Sequence, residues 1–227
     1  MLSDLWQWAI MLRFCATALL RHVSRRRFFS WLQQLQCSVK MQKKWHIDTE
    51  KIVIQGFFLL VDICGKPWCI LEQALCCRSF GHGLRKVSPQ WLMLSYPVIT
   101  SGEKAHKGSF ESVLREDYAD EEKRRFLSLE YNVTKDTPST FLWHTAPDDT
   151  VPVENSLLFF QALHALDIPA ELHIYPVGSH GLGLATAETA CPNGYGIQAE
   201  CESWIQLAGD WMKHLFEAKE VVKAPWE

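Results

Sequence analysis

The chain has 227 residues, enough for one ordinary domain with a sizeable core. Hydrophobic residues make up 48% of it and the formal net charge is -3. That balance excludes a disordered chain and a nucleic-acid binder built on a basic surface. Eight cysteines are present, but Cys64, Cys69, Cys76 and Cys77 are spaced C-x4-C-x6-C-C, which matches no zinc knuckle or ribbon. No metal or other cofactor is expected. Without a secretory signal, free thiols in a reducing, cytoplasmic setting are the default expectation.

In chain order, the first thirty residues, MLSDLWQWAIMLRFCATALLRHVSRRRFF and on, are apolar and then arginine-rich, with Asp4 the only acid. Arg13 interrupts the apolar run a spanning helix would need, and no small-residue cleavage site follows a clean apolar stretch. An ordinary helix or an unstructured end is expected here, ahead of a basic surface helix or a transit-like leader, so membrane association is not expected. Residues 43–57 form a patterned island, KKWHIDTEKIVIQGF, in which KIVIQ predicts a buried strand and Gly56 a tight turn. Residues 1–44 and 58–91 show no clean period of 2 or 3.6 and hold six of the eight cysteines.

From residue 92 to 218 the texture is that of an α/β domain. LMLSYPVI (92–99) predicts a short buried strand, and TFLWHT (140–145) and ELHIYP (171–176) predict a second and a third strand. The charged run EDYADEEKRRFLSLE (116–130) predicts a solvated helix, VENSLLFFQALHAL (153–166) a second, and ESWIQLAGDWMKHLFEA (202–218) an amphipathic third. Strands alternating with helices over short connections predict a single domain with a mainly parallel sheet covered on both faces.

Two residues carry the chemistry. Asp148 opens D-x-x-V-P after a strand, where open parallel sheets place functional groups; its plainer role is a turn aspartate that caps the next helix. His180 lies in the glycine-punctuated loop PVGSHGLGLA after the next strand, where a lone histidine is usually just solvated. Acid after one strand and histidine after the next is the order of the last two members of a hydrolase triad. Such a triad needs both, because the imidazole removes the proton of a weak nucleophile while the carboxylate fixes its tautomer and stabilises the imidazolium. Trp143 and Phe159 are open to two roles, core or ligand platform.

FLWHTAPDDTVPVENSLLFFQALHALDIPAELHIYPVGSHGLGLA closely resembles the α/β-hydrolase serine esterases of the acetylxylan-esterase-like group, relatives of dienelactone hydrolase and prolyl oligopeptidase. LMLSYPVITSGEKAHKGSFESVL (92–114) and WHIDTEKIVIQGF (45–57) match the same group. The resemblance implies an α/β-hydrolase fold, incomplete on its N-terminal side. It implies metal-free removal of acyl groups, often acetyl, from carbohydrate or other small esters. It places the acid and the histidine on Asp148 and His180, with Asp149 the less favoured acid.

The departure is equally specific. The group continues the island as G-F-S-A-G-G-H-L, with the serine as nucleophile and the following amide in the oxyanion hole. This chain has Phe58-Leu-Leu-Val-Asp-Ile-Cys64 instead. If its leucines are CTN codons and each triplet is started one base early, that stretch permits Ser-Ala-Gly-Gly-His-Leu. The expectation is a reading frame lost between Gly56 and Leu59, by a net gain of two bases or an equivalent loss, and regained near Leu92. Ser79, Ser88, Ser95 and Ser101 do not follow the island strand at the required turn, and Gly81-His-Gly83 comes after that strand, where an oxyanion loop would precede it. The expected protein is thus an ester hydrolase for a small acylated, carbohydrate-type substrate whose nucleophile is missing and whose activity is absent as written. The alternatives are a non-catalytic pseudo-hydrolase that binds a ligand or partner and, further off, a protein attached to membranes through residues 1–30.

Overall fold

The structure, a computed structural model, describes residues 10–15, 52–59 and 90–216. Among these residues five parallel strands form one sheet in chain order: β1 Ile10–Cys15, β2 Ile52–Leu59, β3 Trp91–Val98, β4 Ser139–Thr145 and β5 Ala170–Tyr175. Parallel neighbours need crossover connections, and a strand covered on both faces becomes apolar along its whole length. WLMLSYPV and STFLWHT are such strands, buried at every residue after the first.

Side chains of β4 alternate between two helical layers. Phe141 and Trp143 point toward α4 (Trp204–Phe216): Trp143 stacks on Trp204 with centroids 5.0 Å apart, and Phe141 tilts against Trp211 at 5.8 Å. On the opposite face, His144 is hydrogen-bonded to Ser156 of α3 (Glu154–His164). Helices therefore cover both faces, as the sequence pattern predicts. Two shorter helices, α1 (Lys107–Leu114) and α2 (Glu121–Leu127), pack beyond the end of β3 through Phe110 and Leu127, which meet Val98 and Val151. Trp143 and Phe159 are both core residues rather than platforms.

Four elements differ from the sequence pattern. The charged run 116–130 is broken into a 3-10 turn Arg115–Ala119, α2, and a second 3-10 turn Leu129–Tyr131. Leu127 and Leu129 are both buried, and residues two apart on one continuous helix would face nearly opposite ways. The break lets both turn inward. Asp120 restarts the helix by accepting the Lys123 N–H, and Leu129 N–H bonds to Ile99 O, joining the segment to the end of β3. α1 was not anticipated as a separate helix. Residues 10–15 are a strand paired with β2, which replaces the helix or unstructured end expected there and supplies an earlier strand whose absence the resemblance implied. Finally, β2 does not turn at Gly56: Phe57-Phe-Leu59 continue the strand, because three large apolar residues favour the pleat as KIVIQ does. Ser79, Ser88 and Gly81–Gly83 lie outside the described residues.

One buried amide holds the site's scaffold together. Asn155, fully buried at the start of α3, accepts the N–H groups of Ile99 (2.9 Å) and Thr100 (3.0 Å) on Oδ1. Its Nδ2 donates to Lys104 O and Pro152 O, both at 2.9 Å. All four bonds are in place, so the chain leaving β3 is fixed to the turn leaving β4. Asn155→Ala leaves buried backbone groups without partners and should lower unfolding free energy by about 3 kcal/mol, measured by urea titration. Asn155→Asp, which cannot donate, should lose nearly as much.

Candidate active site

Neighbouring parallel strands end side by side, so the loops leaving β4 and β5 share one edge of the sheet. Asp148 lies in the first. Its Oδ1 accepts the N–H groups of Thr150 (2.9 Å) and Val151 (2.8 Å), an aspartate turn that fixes the carboxylate by its own backbone. The side chain is fully buried, whereas Asp149 beside it is exposed and meets only the Thr150 hydroxyl. The turn therefore separates the two candidate acids.

His180 lies in the second loop. Gly178 sets the path of this loop with φ of 105°, and a Cβ there would meet Leu182 Cδ1 and Thr145 Cγ2 at 3.0 Å. Thr145 Oγ1 donates to Ser179 O at 3.3 Å, and the Tyr195 hydroxyl donates to His180 O. So held, His180 brings Nδ1 within 2.8 Å of Asp148 Oδ2, with its side chain 14% exposed. An ionised carboxylate only accepts, so Nδ1 carries the proton and Nε2 is the basic nitrogen. The structure thus unites the two residues that the sequence singles out.

It also adds a third. His144, at the end of β4, places Nε2 at 2.9 Å from Val151 O and 3.3 Å from Asp148 Oδ2, while Nδ1 meets Ser156 Oγ at 2.8 Å. Donation from Nε2 is shared between carbonyl and carboxylate, and the Ser156 hydroxyl donates to Nδ1. Burial would raise the pKa of Asp148, but hydrogen bonds from His144, His180 and the Val151 amide outweigh it and hold the carboxyl far below its usual range. Asp148 is ionised whenever the fold exists near neutrality. His106, the residue before α1, feels the same pair: burial and the His180 charge push its pKa down, partly offset by Asp148. Its Nδ1 meets Ser109 Oγ at 2.8 Å.

Of the serines weighed above, the two within the described residues are committed elsewhere. Ser95 is fully buried and accepts the Trp143 Nε1–H at 2.7 Å, and the Ser101 amide and hydroxyl both bond to Ser128 Oγ. Among the described residues no cluster of three metal-ligating side chains occurs. No described helix is long and apolar enough to cross a membrane.

The prolyl oligopeptidase family model matches residues 99–190, a span that contains Asp148, His144 and His180. The chain is 38% identical over 151 residues to a protein of Butyrivibrio fibrisolvens named endo-1,4-beta-xylanase B, a match covering 66% of this chain and 23% of that one. In structure it is similar to an acetyl ester-xyloside bifunctional hydrolase from Caldicellulosiruptor lactoaceticus, with 34% identity and a TM-score of 0.61, covering 81% of this chain and 64% of the other. The chain has the α/β-hydrolase fold and is similar to esterases that share it. A carboxylesterase from Lactobacillus plantarum, 22% identical, shares the fold of this α/β-hydrolase at a TM-score of 0.65, over 81% of this chain and 65% of its own. The chain thus spans under a quarter of its xylanase-named relative and just under two thirds of these two solved structures.

The signal for His144 is present in the sequence as a histidine four residues before Asp148, near the end of a strand. His173 in the next strand instead sits half-buried on Glu171 at 2.7 Å, so a histidine's place in a strand does not by itself single out His144.

Asp148→Asn keeps the Oδ1 acceptor and removes the charge facing two histidines. It should cost about 2–3 kcal/mol at neutral pH, measured by urea unfolding. A depressed carboxyl pKa contributes stability that is complete above the ordinary value of 3.8 and is lost as pH falls toward the folded value. The gap between wild type and Asp148→Asn should therefore be flat down to about pH 5 and narrow only in stronger acid.

Proposed function

We propose that this chain derives from a carboxylic-ester hydrolase acting on acylated carbohydrate, in which Asp148 and His180 are the acid and base and the serine nucleophile is lost from position 58. The single observation that carries the reading is the 2.8 Å bond from His180 Nδ1 to a buried, doubly hydrogen-bonded Asp148 at the ends of adjacent parallel strands. A merely capping aspartate needs no imidazole, and a merely solvated histidine needs no buried carboxylate.

In that reading Asp148 fixes the His180 tautomer, and Nε2 takes the serine proton as the hydroxyl attacks the ester carbonyl. The same nitrogen then protonates the leaving alcohol, and water repeats the sequence on the acyl-enzyme. The xylan-related names of two relatives support an acylated carbohydrate as substrate.

One observation favours a second reading, a non-catalytic pseudo-hydrolase. The end of β2 runs straight through Gly56, and Phe57 packs against Trp204 and Tyr96 with centroids 6.3 and 6.0 Å apart. A strand end given over to packing presents no sharp turn for a nucleophile.

The two readings part on hydrolysis of p-nitrophenyl acetate. The chain as it stands should be no faster than buffer. A chain with residues 58–91 translated in the shifted frame should hydrolyse the ester, and His180→Ala in that background should lower kcat by about 10⁵–10⁶-fold. An inactive restored chain would sink the esterase reading. A His180-dependent rate in the unrestored chain would show that a nucleophile is still present.

A further inference from the structure

The pairing of β2 with β3 carries an irregularity that the mechanism above does not use. Phe57 pairs with Ser95 and Leu59 with Val98, so two residues of β3, Tyr96 and Pro97, face one of β2. This is a bulge, a device that bends a strand and re-aims a side chain. Tyr96 has φ of 40°, in the left-handed region that bulky residues avoid, and it precedes a proline, which favours extended backbone instead. Glycine would suit the backbone better, so the tyrosine side chain is what the position retains.

The bulge aims that side chain at His180. The two rings meet edge to face with centroids 4.9 Å apart, and Tyr96 is 4% exposed. Its phenol oxygen accepts the Gly183 N–H at 3.2 Å, three residues beyond His180 in the same loop. Its ring also meets Trp143 at 5.2 Å, which ties it to the sheet core. Tyr96 thus touches His180 with its ring and the His180 loop with its hydroxyl, from a backbone that cannot swing freely.

We propose that Tyr96 is a positioning residue, held in a strained bulge of β3, that locks the His180 imidazole in the orientation facing Asp148. The proposal rests on the assignment of Asp148 and His180 as a functional pair. Backbone strain of this kind persists where surrounding structure over-determines it, and it concentrates at working sites. Here it holds the imidazole through a ring contact and through the loop that carries it.

The test is the solvent-exchange rate of the His180 Nδ1 proton, read by NMR on the full-length chain fused to a histidine-free solubility tag and labelled with 15N at histidine. His180→Gln assigns the resonance. Tyr96→Phe keeps the ring and removes the hydroxyl with its bond to Gly183, so it should fold and should speed Nδ1 exchange about fivefold, while the Leu163 amide in α3 exchanges as before. An unchanged Nδ1 rate in Tyr96→Phe would overturn the proposal, as would equal acceleration at Leu163, which marks general loosening. Asp148→Asn separates the underlying pair: if it leaves the wild-type Nδ1 resonance and its exchange unmoved, the Asp148–His180 assignment fails, whatever Tyr96→Phe does.

Discussion

Everything at this site depends on one hydrogen bond between loops that are distant in sequence and adjacent in space, His180 Nδ1 to Asp148 Oδ2. The parallel pairing of β4 and β5 brings the loops that carry the two residues side by side. The carboxylate is immobilised from below by the Thr150 and Val151 amides and from the side by His144. The imidazole is placed by a loop whose glycine, threonine and tyrosine contacts leave little freedom. A buried carboxylate is tolerable only because each oxygen has donors, and those donors are what make it an orienting group.

The anchors of the pair are mostly contributed by residues 90–216. Asn155 joins the chain after β3 to the turn after β4, Trp143 and Trp204 pack the face under His180, and Trp204 Nε1 also donates to Gly183 O. The hydrogen bonds from the Thr150 and Val151 amides and from His144 to Asp148, and those from Thr145 and Tyr195 to the His180 loop, come from within these residues, so under the proposed reading the Asp148–His180 pair does not need residue 58 for its geometry.

Much of this was legible before the structure. Asp148 and His180 follow from the order of strand, turn and helix, and the core strands follow from continuous apolar runs. Asn155 was not legible, because its partners Ile99 and Thr100 lie more than fifty residues away and an asparagine at a helix start has a sufficient local explanation. Tyr96 was hidden for a related reason: SYPV reads as a strand, and nothing local in it announces a bulge or a left-handed tyrosine. The break in the run 116–130 follows from burying both Leu127 and Leu129, a tertiary demand that a charge pattern does not express. Strand β1 was obscured by an arginine-rich neighbourhood; Arg13 argues against a membrane span, and in the sheet its backbone pairs with Gln55.

The central claim is that a serine hydrolase stands behind this chain, with its acid and base intact and its nucleophile displaced by a shift of frame. The most direct measurement is a base-by-base sequence of the gene from upstream of the codon for Lys43 through that for Leu92. The account predicts CTN codons for Leu59 and Leu60 and, read one base early from the third base of Phe58, triplets spelling Ser-Ala-Gly-Gly-His-Leu. A TTR codon at either leucine, or any shifted triplet that breaks that hexapeptide, would contradict it and leave Phe58 as the residue this protein is built to have.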